Sequence, residues 1–355
     1  MAVSPLDRGD LRQRVQKSLN AFVAGQLPLL DAISAELGPL TDALTELIAG
    51  GKRLRPAFCY WGFRGAGGED GEGIVTAAAA LELFQACALI HDDVMDGSDT
   101  RRGLPAVHRR FASLHRSESW GGDPESFGTG AAILLGDLCL AWSDEMLATS
   151  GLPTDRLSAG SGVYAVMRTE LMGGQYLDLL EQARGGGSVE RALRVARYKS
   201  AKYTIEKPLH LGAVLAGAGQ DVLDAFSGYG LPLGEAFQLR DDVLGVFGDP
   251  SATGKPAGDD LREGKRTALV AMALEQASNA QTAVVRRHLG DPHLSADGID
   301  QLRQVLVDTG ALRRVEALIA TLLDDALAAL RAAPVLEQAR DVLEELAFAA
   351  TARTV

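Results

Sequence analysis

The chain has 355 residues, 46% hydrophobic and 23% charged, with a net charge of −12. That acidity argues against nucleic acid or an anionic membrane surface as the main partner, and no run of eighteen uninterrupted apolar residues marks a membrane span. Cys59, Cys87 and Cys139 stand far apart in apolar settings, which indicates neither a disulfide framework nor a zinc site. Met1 to Leu30 mixes charges among apolar residues and lacks a signal-peptide core, so a reducing cytoplasm is expected.

Alanine and leucine dominate, and aromatics are only 5%, which is a helical composition. Apolar residues at three- and four-residue intervals predict helices over Leu11 to Leu37, Leu40 to Ile48, Pro56 to Phe63, Ile74 to Met95, Gly130 to Ala148 and Asp155 to Glu181. They continue over Val189 to Ala218, Leu223 to Phe247, Lys265 to Leu289, Ser295 to Asp308 and Leu312 to Ala350, with a break near Pro334. Loops are expected at Gly65 to Gly73, Gly121 to Gly130, Arg184 to Ser188 and Gly248 to Asp260. No linker, repeat or long charge run divides the chain, so one all-α domain over 1–355 is the expectation. Several helices are apolar on most faces, as the walls of a deep apolar cavity would be.

The first chemical signal is Gly50-Gly51-Lys52-Arg53-Leu54-Arg55-Pro56, which sets three cations on a glycine-flexed lead into a helix. A helix start of this kind attracts phosphate. The second is Leu89-Ile90-His91-Asp92-Asp93-Val94-Met95-Asp96, followed by Arg101-Arg102-Gly103. At about 100° per residue Asp92 and Asp96 share a face, roughly 6 Å apart along the axis. Carboxylates at the end of an apolar helix need a positive partner. An oxygen-only set favours magnesium, which is usually shared with substrate phosphates, and the two arginines are shaped to hold phosphate oxygens. Farther on, Arg197-Tyr198-Lys199-Ser200-Ala201-Lys202-Tyr203 interrupts a helix with cations. Last, Gln238-Leu239-Arg240-Asp241-Asp242 again closes an apolar helix with adjacent acids, with Lys255, Lys265 and Arg266 downstream. Two anionic metal racks and several cationic clamps balance magnesium and two diphosphates.

GGKRLRP, LIHDDVMD with RRG, KSAKY, GGQYLDL (Gly173 to Leu179) and FQLRDD with GD, TGK and GKRT, in this order over roughly Ala49 to Thr267, resemble the trans-isoprenyl diphosphate synthase (polyprenyl synthetase) family. The resemblance implies an all-α homodimer with a deep apolar pocket in each subunit, and head-to-tail condensation of isopentenyl diphosphate with an allylic diphosphate. It implies that Asp92, Asp93, Asp96, Asp241 and Asp242 hold three Mg²⁺ on the allylic diphosphate. Lys52, Arg55 and Arg102 match the clamp for isopentenyl diphosphate, and Gln85 matches a residue that helps it. Arg101, Lys199, Lys255 and Lys265 match cations on the allylic diphosphate, and Gln238 a polar residue beside the ionising centre. Two departures stand out. The third position of the second aspartate motif is Gly245, and the family's lysine–threonine pair is Lys199-Ser200.

The helix leading to Asp92 also bears on product length. Ala88 and Phe84 lie four and eight residues before Asp92, with Cys87 beside Ala88, and each turn rises about 5.4 Å, close to one isoprene unit. A small first level with Phe84 as the floor favours geranylgeranyl over farnesyl diphosphate. The alternatives are a farnesyl or longer-chain synthase, a non-catalytic partner subunit, or a terpene cyclase, which would have little use for the GGKRLRP clamp.

Overall fold

The computed structural model describes residues 4–185, 187–248 and 258–351. It is all-α, with one two-stranded β pair among the described residues. Its contacts divide it into two compact units, Met1–Ser161 with Gly212–Gly217, and Gly162–Leu211 with Ala218–Val355. Two of the three crossings between the units, after Ser161 and after Leu211, fall inside helices rather than in a linker, so the sequence carries little sign of the division.

The first unit contains α1 (Leu11–Ile33), α2 (Gly38–Ile48), α3 (Leu54–Gly65), α4 (Glu72–Asp96), β1 (Thr100–Arg101), β2 (Leu104–Pro105), α5 (Val107–Ser117) and α6 (Pro124–Ala148). Its centre is α4, where Ala77 to Ala80, Leu81, Leu83 and Phe84 are all fully buried. Alanine is the best helix former and brings neighbouring helices close, and α4 packs against α6, α3 and α1. The helix ends at Gly97 in the left-handed conformation, a common helix stop. Two differences from the expected elements appear here. The glycine-rich stretch from Gly121 is helical from Pro124 onward, because Asp123 caps the helix by accepting from the Ser126 N–H. The charged segment of α5 is a helix that the apolar spacing does not predict; three of its four apolar residues, Val107, Phe111 and Ala112, are buried, and Leu114 is half-buried.

The second unit holds most of α7 (Thr154–Arg184), α8 (Val189–Val195), a π-helical stretch Ala196–Glu206, the start of α9 (Lys207–Ala216), and α10 (Gln220–Phe247). Beyond residues 249–257 it continues with α11 (Asp259–Arg262), α12 (Ala268–Gln276), α13 (Asn279–His288), α14 (Ala296–Asp308), α15 (Ala311–Ala332) and α16 (Glu337–Thr351). The core helix is α10, which buries Phe226, Tyr229, Leu233, Ala236, Leu239 and Val243. Tyr229 satisfies its hydroxyl inside the core by donating to the Leu343 carbonyl at 2.6 Å.

By length and composition α4 and α6 could each cross a membrane, although neither holds eighteen uninterrupted apolar residues. In α4 that stretch is 72% buried in protein, the mark of a core helix, whereas in α6 it is 39% buried. The outer face of α6 shows Phe127, Ile133 and Leu134 to solvent.

Candidate active site

In the first unit, the end of α4 and the β hairpin form one acidic and basic cluster. Asp93 is 2% exposed and pairs with Arg101, whose Nε donates to its Oδ1 at 2.9 Å. Arg101 also approaches Asp92, with Nη2 3.7 Å from Oδ2. The hairpin fixes Arg101 because its two-residue turn, Arg102-Gly103, has positive φ at both positions, the form that matches strand twist. Asp92 and Asp96 remain half-buried. The adjacent acids therefore differ in kind: Asp93 is an inward anchor, whereas Asp92 and Asp96 keep surface open on one face. His91 points to the other side, with Nε2 3.2 Å from the Ile133 carbonyl of α6.

The basic segment before α3 belongs to the same unit. Lys52 is exposed and Arg55, in the first turn of α3, is half-buried. Arg53 turns inward and pairs with Glu82 of α4. Arg102 folds back onto this segment, donating to the Leu47 and Gly50 carbonyls at 2.9 and 2.7 Å. Desolvation holds Arg102 below the usual arginine range, and the nearby Arg53, Arg101 and Arg55 add to this while Glu82 opposes it. Such crowding of like charge is what an anion relieves. On α4 itself, Gln85, Ala88 and Leu89 are half-buried, as is Asp92, whereas Phe84 and Cys87 are 1% and 3% exposed.

In the second unit, Lys199 lies in the π-helical stretch, a rare form frequent at functional positions. Its Nζ is 2.7 Å from Asp178 Oδ2 on α7. Near the end of α10, Gln238 Nε2 donates to Asp242 Oδ1 at 2.7 Å. Burial pushes the Asp242 carboxyl up to about 7; the Gln238 hydrogen bond opposes this, Asp260 and Asp241 reinforce it, and Lys265 opposes it. Arg240, inside the same motif, is turned to Glu316 of α15 at 2.6 and 2.7 Å and so fixes the rotation of α10.

The missing third acid of this motif has a structural counterpart. A Cβ at Gly245 would overlap the Asp260 carboxylate, so glycine there gives Asp260 room beside the acids of α10. Lys265 Nζ lies 3.2 Å from Asp260 and 2.8 Å from Glu263. Asp260, Asp178 and Glu82 were not singled out from the sequence. The available signal was their place in or beside motifs: Asp178 in GGQYLDL, Asp260 before GKRT, and Glu82 as the one acid in an apolar run. Lys255 lies outside the described residues, as does Asp249 of the second motif.

Among the described residues no three Asp, Glu, His or Cys side chains converge tightly enough to cage an ion. The donor set is nonetheless suited to a hard cation, being oxygen-only with Asp92 and Asp96 on one open face, and magnesium completes such sets with water and phosphate.

The polyprenyl synthetase family matches residues 38–306 of the chain. A geranylfarnesyl diphosphate synthase of Aeropyrum pernix is 33% identical over 90% of this chain and 91% of its own. A geranylgeranyl diphosphate synthase of Mycobacterium tuberculosis is 33% identical over 80% and 78%. The crystal structure of geranylgeranyl pyrophosphate synthase from Corynebacterium glutamicum, complexed with isoprenyl diphosphate and magnesium, is 42% identical, covers 97% of this chain and 99% of its own, and has a TM-score of 0.94. The chain therefore belongs to the polyprenyl synthetase family, the trans-prenyltransferases that build isoprenyl diphosphates.

Proposed function

We propose that this prenyltransferase joins isopentenyl diphosphate to an allylic diphosphate and releases geranylgeranyl diphosphate. The observation that carries the chain length is where open surface ends on α4. Asp96, Asp92, Leu89, Ala88 and Gln85 keep some, and the next turn, Phe84 and Leu81, keeps none. From Asp92 to Phe84 is about 12 Å of helix, which suits a chain grown past the first turn and stopped at the second. A product one isoprene unit longer is the second reading, favoured by the likeness to the Aeropyrum geranylfarnesyl enzyme.

In the first unit Asp92 and Asp96, and in the second Asp241, Asp242 and Asp260, would each offer carboxylate oxygens to magnesium, three ions in this reading. A metal held by these carboxylates would supply positive charge that neutralises the allylic diphosphate and favours its departure. Asp93 holds Arg101 in place, and Asp178 does this for Lys199, each within its own unit. Lys52, Arg55, Arg102 and Gln85 bind the second diphosphate, and Lys255 and Lys265 add positive charge on the allylic side. Such fixed charges act most strongly where charge develops as the ester bond breaks. The wall at Ala88, Cys87 and Phe84 offers the allylic cation little besides carbon; burial pushes the Cys87 thiol up to about 12, so it stays protonated and poorly nucleophilic. The departing diphosphate takes the proton lost from the joined product, so no side-chain base is needed. The apolar outer face of α6 is the surface for a second copy in a homodimer. Three buried free cysteines suit a reducing cytoplasm.

Incubation with isopentenyl diphosphate, farnesyl diphosphate and Mg²⁺, with products resolved by length, tests this reading. Geranylgeranyl diphosphate is expected. A released hydrocarbon or no condensation would overturn the activity, and a longer main product would favour the second reading. Phe84→Ala should lengthen the product by one unit or more, and Ala88→Phe should shorten it to farnesyl diphosphate. Unchanged product lengths in both variants would remove α4 as the ruler.

A further inference from the structure

Between Lys52 and Arg55, two of the cations assigned above to isopentenyl diphosphate, stands an arginine that faces the other way. The Arg53 side chain is 4% exposed and its ionic partner, the Glu82 side chain, 5%. Glu82 interrupts an apolar stretch of α4, with Leu81, Leu83 and Phe84 around it. Two charges buried this deeply gain little net stability, because desolvation offsets their attraction, and apolar residues of similar size commonly serve as well. A role in geometry accounts for the pair better than a role in stability.

The contacts are those of a fastener. Arg53 Nη1 pairs with Glu82 on α4, and Nη2 serves both the Gln16 side-chain carbonyl on α1 and the Ile48 backbone carbonyl at the end of α2. Its backbone is held at φ 56, a conformation that non-glycine residues adopt only when their surroundings enforce it. From the opposite side Arg102 takes the Leu47 and Gly50 carbonyls. Its guanidinium lies so close to Gly51 that a Cβ there would come within 3.0 Å of Nη2. The turn that carries Lys52 is thus gripped by one arginine from inside and one from outside. Glu82 also stands three residues before Gln85, on the same side of α4.

We propose that Arg53 and Glu82 are a positioning pair. Together they fix the left-handed turn that aims Lys52 and Arg55, and tie it to the Gln85 stretch of α4, so that these side chains meet the non-allylic diphosphate together. The proposal rests on the reading of Lys52 and Arg55 as that diphosphate's clamp.

Steady-state kinetics on Arg53→Met/Glu82→Leu, Arg53→Lys and Lys52→Ala, with melting curves, test it. The double variant leaves no lone buried charge, so its Tm should stay within a few degrees of the parent. Its KM for isopentenyl diphosphate should nevertheless rise about tenfold or more, with the allylic KM changing less than about threefold. Arg53→Lys keeps the charge but not the fork, and should show the same split at smaller size. If the double variant does not fold, Arg53→Lys decides the matter by the same split. An isopentenyl diphosphate KM within about twofold of the parent, or equal rises in both KM values, overturns the proposal. Lys52→Ala separates this from failure of the clamp reading. A raised KM there with none in the pair variants sinks the positioning role alone, whereas an unchanged KM in Lys52→Ala removes the clamp and the proposal with it.

Discussion

Asp92→Ala is expected to lower kcat by at least about a thousandfold, equivalent to roughly 4 kcal/mol of transition-state stabilisation, while the helical circular dichroism and Tm hold or rise slightly. The loss should be this large because the adjacent acid cannot replace it. Asp93 is buried against Arg101, and turning it outward would strand that guanidinium. The fold should tolerate the change for three reasons. Asp92 is half-buried, alanine is the better helix former, and a carboxylate in the last turns of a helix opposes the helix dipole, typically by a few tenths of a kcal/mol. Acids at the end of α4 are therefore kept at some expense in stability, which points to chemistry rather than folding. Turnover assays with circular dichroism on the same preparation check both halves. Retained turnover would contradict the magnesium assignment, and a collapsed fold would show Asp92 to be structural.

The residues legible in the sequence were those whose charge conflicted with their surroundings. Three acids ending the apolar helix α4, and two more near the end of α10, could be read without a partner in view, because an apolar helix gives them no local counter-charge. Order within each set was not legible. Adjacent acids look alike in sequence, yet Asp93 turns inward to Arg101, and Asp242 to Gln238. Arg53 reads as one cation among three in GGKRLRP, and only a partner 29 residues on, Glu82, separates it from Lys52. The Gly245 departure looked like a gap in the second motif until Asp260 proved to occupy the space that glycine leaves. Helix α5 escaped because five of its eleven residues are His or Arg, so its buried stripe is too thin for periodicity to register. The π-helical stretch around Lys199 shows in the sequence only as cations interrupting an apolar helix, which does not distinguish a π-helix from an ordinary one.

The other large effect concerns Asp242. Its carboxyl is pushed up to about 7 by burial, from an ordinary 3.8, so in the metal-free protein it stays protonated where the unfolded chain is already ionised. With more protons bound folded than unfolded, stability must fall as pH rises. The cost is absent below about pH 4, grows between pH 4 and 7, and levels off above 7 at about 4 kcal/mol. Asp242→Asn should remove it, because an asparagine oxygen can accept the same Gln238 hydrogen bond without carrying charge. Urea unfolding in EDTA should find the variant close to the parent at pH 4 and more stable at pH 8. The same gain at both pH values, or none at pH 8, would sink the account of Asp242 as a buried carboxyl held in its neutral form. Adding Mg²⁺ with inorganic diphosphate should reverse the order at pH 8, because a bound cation favours the ionised form that the buried site otherwise resists. The parent then gains stability that the asparagine variant cannot. Burial thus lets Asp242 keep its proton up to about pH 7 in the metal-free protein, and magnesium with diphosphate would favour its ionised form.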